Sequence, residues 1–261
     1  MTQSTEAITR LLDIMARLRD PEHGCPWDSE QTMLSLLSYT LEEAYEVADA
    51  IEQGHDEEVP KELGDLLFQV IFYCQIAQEE GSFDFEQVVT ELSDKLERRH
   101  PHVFGEHQIS KQELEQVWHQ SKAKERQEKE LHSALDDVPL SLPALTRAQK
   151  LQRRAANEGF DWPDHIGVLD KMQEEILELK TAISNNDASE IEDEMGDLLF
   201  TAVNLSRHLE QDSESCLRRA SIKFERRFRR VEELIAKDNT DIKQLSIEQM
   251  DAYWKQAKQE L

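Results

Sequence analysis

The chain has 261 residues, enough for a substantial core, with few Gly and Pro (8 and 7), 33% charged residues and a formal charge of −25. That charge excludes a general nucleic-acid or membrane-surface binder, because such partners are polyanions and reward clustered Lys and Arg. Small polyanions stay open, since divalent cations can sit between carboxylates and phosphates.

Cys25, Cys74 and Cys216 are widely spaced and odd in number, which suits thiols in a reducing cytosol and no disulfide framework. The first 19 residues lack a signal-like apolar core, and no 18-residue apolar run occurs. The expectation is a soluble, cytoplasmic, all-α protein with no nucleic-acid polymer or membrane as partner.

Helical spacing of Ile8, Leu11, Leu12, Met15 and Leu18 predicts a first helix over residues 5–19, ended by Asp20-Pro21. The loop His23-Gly24-Cys25-Pro26-Trp27-Asp28 then plugs the domain's end or lines a pocket. A helix over residues 29–53 carries Glu42-Glu43-x-x-Glu46, and Gly54-His55-Asp56 turns the chain. Pro60 sits in the first turn of the next helix, which bears Glu62 and Asp65 and runs to about residue 80. A further helix spans residues 85–99, and Ser110-x-x-Glu113 opens a polar one with Trp118 and Lys122. Asp136-Asp137-Val138-Pro139-Leu140-Ser141-Leu142-Pro143 reads as a junction, giving domains 1–135 and 136–261.

The second half repeats the plan. A helix over residues 144–158 leads to the loop Gly159-Phe160-Asp161-Trp162-Pro163, and a helix over residues 164–184 bears Glu174-Glu175-x-x-Glu178. The next carries Glu194-Met195-Gly196-Asp197-Leu198-Leu199-Phe200, matching Glu62-Leu63-Gly64-Asp65-Leu66-Leu67-Phe68 in the first half. Both acidic stretches recur at one offset, 132 residues, Glu174 against Glu42 and Glu194 against Glu62. Lys223-Phe224-Glu225-Arg226-Arg227 likewise matches Lys95-Leu96-Glu97-Arg98-Arg99, and Trp254 with Lys258 matches Trp118 with Lys122. This is domain duplication, not a short solenoid repeat.

Acids three or four residues apart share a helix face. If the two acidic faces of each half meet, four carboxylates converge, and like charges so close need cations. Magnesium suits such an oxygen set. A single E-x-x-E in a chain with 55 acids is ordinarily a solvated face; recurrence of paired clusters within apolar helices argues for a metal site. Gly64 and Gly196 cost helix stability, which close helix approach beside the acids would justify. Lys223 and Arg227 project to one side, Arg226 reaches an adjoining position, and Trp254 offers either a face for a base or a core anchor.

Together these residues resemble the MazG family, the tandem-domain nucleoside triphosphate pyrophosphohydrolases of the all-α NTP pyrophosphatase superfamily. The resemblance rests on Gly24-Cys25-Pro26-Trp27-Asp28, both E-E-x-x-E clusters, both E-x-G-D-L-L-F stretches, both Lys-x-Glu-Arg-Arg stretches and the late Trp-x-x-x-Lys pairs. It implies a helical bundle in each half, a homodimer, and Mg2+-dependent hydrolysis, Mn2+ substituting, of NTPs and dNTPs to monophosphate and pyrophosphate, in nucleotide-pool control or house-cleaning. By that resemblance Glu175, Glu178, Glu194 and Asp197 ligate metal. Lys171, Lys223, Arg227 and Trp254 bind nucleotide, with Glu174, Glu175, Arg226 and Lys258 beside them. A metal-activated water attacks the α-phosphorus, and Glu174, Glu175 or Glu178 takes the proton.

Residue differences favour the second half as the main catalytic unit. Asn204 lies seven residues after Asp197 on the same face, able to hydrogen-bond a base or sugar, where the first half has Phe72. Lys171 corresponds to Tyr39, and Arg229 and Arg230 extend the basic helix that Pro101 stops in the first half. Glu43, Glu46, Glu62 and Asp65 still retain the ability to bind metal. The rivals are a di-iron or di-manganese carboxylate bundle, an HD phosphohydrolase centred on His55-Asp56, and a helical scaffold. Glu52-x-x-His55 and Glu97-x-x-His100 fit the first by letter, but both stand at helix ends.

Overall fold

The structure, a computed structural model, describes residues 3–105 and 132–260. Among them every regular element is a helix, as the sparse Gly and Pro require. The chain divides into two compact units, Met1–Ala123 and Lys124–Leu261. That division lies outside the described residues, as do Ser110, Glu113, Trp118 and Lys122. Residues from 132 onward are tied to the second unit, where Arg154 donates to the backbone carbonyls of Ala134, Asp136 and Asp137.

The first unit opens with α1, Gln3–Leu18, whose apolar stripe buries Met15. After it the chain folds back so tightly that a Cβ on Gly24 would stand 2.4 Å from the Leu18 carbonyl oxygen; only glycine fits. The short helix α2, Pro26–Glu30, begins on its proline. The helix expected over residues 29–53 is broken at this point. Thr32 and Ser35 exchange side-chain hydrogen bonds with each other's backbone N–H, 3.0 and 3.2 Å, and such local bonds compete with the helical ladder. Helix α3, Leu37–Gln53, resumes after this turn and ends at Gly54.

Helix α4, Val59–Glu79, starts with Pro60 in its first turn and carries the core-forming Ile71, Phe72 and Ile76. These pack with Met15 and Leu36 as the centre of the unit. Helix α5, Phe85–Arg99, is capped by Asp84, whose carboxylate accepts from the Gln87 N–H at 2.8 Å, and α6, Pro101–Phe104, follows. α3 and α1 both pack against α4.

In the second unit α7, Ala144–Asn157, precedes α8, His165–Asn185, and α9, Ala188–His208. Asp164 caps α8 through the Ile166 N–H at 2.8 Å. The turn between α8 and α9 is only Asn186 and Asp187, with Asn186 left-handed and Asp187 capping α9, so the two helices pair closely. α7 packs on α9, and the Gln152 amide donates to the Phe200 carbonyl at 2.8 Å. Helix α10, Ser213–Lys237, is capped by Asp212 and pairs with α11, Ile247–Glu260, through Val231, Leu234, Ile235 and Ala257.

Met195, between Glu194 and Asp197, is exposed, as are Leu199 and Phe200 after them.

Candidate active site

The α8–α9 hairpin sets the two acidic stretches face to face. Glu175 lies on α8 and Glu194 and Asp197 on α9, and a carboxylate oxygen from each falls within 4.8 Å of the others. Glu175 is only 3% exposed, and its Oε2 is buried with no partner. A buried carboxylate oxygen left without a partner is costly, so this atom is the observation that best fits a cation in the cluster. Three convergent carboxylates, one of them orphaned, fit a hard, oxygen-seeking cation.

Glu178 stands outside this threesome, although it belongs to the set expected to ligate metal. It is close enough that its charge acts on Glu194. The Glu194 carboxyl is pushed above its usual range, first by desolvation and then by the charges of Glu178, Glu175 and Asp197. The first unit repeats the arrangement: oxygens of Glu43, Glu62 and Asp65 converge within 4.8 Å, with Glu46 outside the three. Burial followed by neighbouring carboxylates raises both Glu43 and Glu62.

A lysine stands against the acids of the second cluster. Lys171 Nζ lies 2.8 Å from Glu174 Oε1, 2.8 Å from Glu175 Oε1 and 3.9 Å from Glu178 Oε2. The hydrogen bonds to Glu174 and Glu175 hold its pKa above the usual lysine value. Tyr39, at the matching place in the first unit, instead meets Trp27 edge-on with ring centroids 5.8 Å apart. Trp27 is 48% exposed, so the loop it belongs to does not plug the domain's end. The loop is held by Arg19, which donates to the Asp28 and Gln31 carbonyls at 2.6 and 3.1 Å, pairs with Glu79 at 2.6 Å and lies over the Phe72 ring.

One expectation about the surroundings needs correction and another narrows. A Cβ added at Gly64 or Gly196 meets nothing within 4 Å, so neither glycine serves close packing within its unit. Asn204 is 6% exposed, and its Oδ1 accepts from Arg207 Nε and Nη2 at 3.0 and 2.8 Å, leaving only its amide N–H groups for a base or sugar. Arg229 and Arg230 do continue the basic helix α10, whereas α5 ends at Arg99; Arg229 pairs with Glu225, and Arg230 with Glu233 and Glu260.

The remaining candidates gather on the α10–α11 hairpin. Lys223, Arg226 and Lys258 are exposed, and Arg227 buries an unpartnered Nε. Trp254 reconciles the two roles expected of it: it packs on Phe224, ring centroids 5.4 Å apart, beside the Val231–Ala257 cluster, and also lines an open groove of about 250 Å3 with Phe228 and Met250. Sequence reasoning missed Asp161, Arg207 and His208. Asp161 accepts from Arg207 and from His208 Nε2, the latter at 3.0 Å, which fastens the loop before α8 to the end of α9. The only sequence signal for this was the i, i+3 spacing of Asn204 and Arg207.

Comparison with known proteins gives a concordant result. A family model described as the MazG nucleotide pyrophosphohydrolase domain matches residues 31–104 and again 164–232, each match spanning one acidic pair. The nucleoside triphosphate pyrophosphohydrolase of Escherichia coli (strain K12) is 52% identical over 258 residues, covering 97% of each chain. The nucleoside triphosphate pyrophosphohydrolase/pyrophosphatase MazG of Thermotoga maritima is 47% identical, covering 95% of this chain and 94% of its own. The crystal structure of a mazG-related protein from Thermotoga maritima is 31% identical over 44% of this chain and 98% of that one, with a TM-score of 0.39.

Proposed function

The chain belongs to the MazG nucleotide pyrophosphohydrolase family, and from that premise we propose that its second unit is the principal site at which nucleoside triphosphates are hydrolysed to monophosphate and pyrophosphate. Pyrophosphohydrolysis itself follows from membership and from full-length relatives named for it. The assignment to the second unit rests on Glu175, whose buried, unpartnered Oε2 stands in a threesome with Glu194 and Asp197.

Mg2+, with Mn2+ as a substitute, would be held by Glu175, Glu194 and Asp197, with Glu178 as a fourth ligand. Once bound, the cation polarises phosphoryl oxygens and lowers the pKa of water. The chain's own groups do the rest. Glu175 and Asp197, fixed on paired helices, would hold the cation that the α-phosphate meets; Glu174, which is not among these ligands, would accept the proton of the attacking water. Lys171, Lys223, Arg226, Arg227 and Lys258 neutralise the triphosphate and the departing pyrophosphate. Trp254 stacks the base in its groove, and Asn204, its oxygen held by Arg207, donates to a base or sugar acceptor.

A homodimer fits the uncovered apolar residues of the acidic hairpin, Leu177, Ile183, Met195, Leu199 and Phe200. No described helix is long and apolar enough to cross a membrane, and the three cysteines are free, as a reducing cytoplasm would keep them. Incubation with Mg2+ and a panel of canonical and damaged NTPs tests the reaction. Pyrophosphate release is expected; orthophosphate release would place cleavage at the wrong bond.

A further inference from the structure

Lys171 stands on the acidic helix itself. It precedes Glu174, Glu175 and Glu178 by three, four and seven residues, so all four share one stripe of α8. A lysine N-terminal to its glutamate is the poorer order for a helical i, i+4 pair, so helix stability does not account for the placement. The ammonium instead touches one oxygen of Glu175, whose other oxygen is buried and unpartnered beside Glu194 and Asp197. Its stem is flexible and its side chain 33% exposed, so it can leave. At the matching place the first unit has Tyr39, which is engaged with Trp27.

We propose that Lys171 is an internal counter-ion of the C-terminal cluster, competing with the divalent cation for Glu175 and Glu178 and drawn off them by the phosphates of the incoming nucleotide. The inference rests on reading that cluster as the metal site. Its consequence is cooperativity. A nucleotide that takes Lys171 away frees carboxylate charge for the cation, and by linkage the cation strengthens nucleotide binding by the same factor. Cation bound without nucleotide is disfavoured, so the site assembles when there is substrate to cleave.

The test measures Mn2+ binding by electron paramagnetic resonance in the full chain. Glu43→Gln and Glu62→Gln silence the first cluster, and Lys171 is compared with Lys171→Met and Lys171→Arg, each with and without an α,β-methylene NTP. Without nucleotide, Lys171→Met is expected to bind Mn2+ about tenfold more tightly than the Lys171 protein, as loss of a cation in contact with the ligands requires. Lys171→Arg, which keeps the charge, stays within about twofold of the Lys171 protein. The analogue tightens Mn2+ binding in the Lys171 protein and does so several-fold less in Lys171→Met, by the linkage above. Equal or weaker Mn2+ binding by Lys171→Met overturns the counter-ion role and leaves the metal site standing. Absence of Mn2+ binding in all three overturns both.

Discussion

Lys171 Nζ stands 2.8 Å from Glu175 Oε1, while Glu175 Oε2, on the same carboxylate, is buried without a partner. Lys171 therefore offsets one end of this carboxylate and only part of the repulsion among the acids of α8 and α9.

That repulsion has a pH signature. The Glu194 carboxyl is raised above its ordinary value of 4.5 by desolvation and by Glu178, Glu175 and Asp197, so the folded protein binds this proton more tightly than the unfolded chain does. Its contribution to stability therefore falls as pH rises from 4.5 through the raised value, and at neutral pH the ionised group is a net cost. Glu194→Gln removes that cost. Thermal unfolding at pH 7 without divalent cation is expected to show a higher Tm for the variant, and added Mn2+ to raise its Tm less than it raises that of the unaltered protein.

The clamp behind Asn204 has the opposite sign. Burial works to raise the Asp161 carboxyl, but Arg207 and His208 hold it below 3.8. Its stabilising effect is thus present at neutral pH and lost as pH falls through the lowered value. Asp161→Asn is expected to cost about 1 kcal/mol at pH 7, the upper end for an ion pair that solvent still reaches. KM should rise as well, since the freed Arg207 no longer orients Asn204. Chemical denaturation and steady-state kinetics on one preparation measure both.

Gly196 separates stability from function. With nothing within 4 Å of an added Cβ, Gly196→Ala should stabilise the second unit by about 0.5–1 kcal/mol, the difference in helix propensity. The glycine lies between Glu194 and Asp197, and the open space beside it is where a triphosphate or a second copy of the hairpin would approach. The expected result is a higher Tm together with a lower kcat/KM. Undiminished activity would show that this space is unused.

Much of this was legible in the residues. The spacing of residues placed α1, α4, α5, α7 and α8 to within a few residues and gave the order of the helices that follow, and Pro60 and Gly54 marked helix ends. The duplicated acids could be read because helical geometry turns a spacing of three or four into a shared face. What could not be read depended on contacts without periodicity. The break before α3 comes from the Thr32–Ser35 exchange, and the anchoring of the first loop from Arg19 and Glu79, sixty residues apart. The capture of Asn204 comes from Arg207, itself held by a loop residue, Asp161. Gly64 and Gly196 were legible as costs but not as to purpose, because an empty space leaves no mark in a sequence.

We assign the main chemistry to the second carboxylate cluster although the first repeats its three converging acids. Pyrophosphate release from an NTP with saturating Mg2+, compared between Glu175→Ala and Glu43→Ala in the full chain, tests it most directly. Glu175→Ala is expected to lower kcat by about 100-fold or more, the scale for removing one preorganised electrostatic group from a reaction centre. Glu43→Ala should leave most of the activity in place. Equal losses from the two substitutions, or a greater loss from Glu43→Ala, would contradict the account.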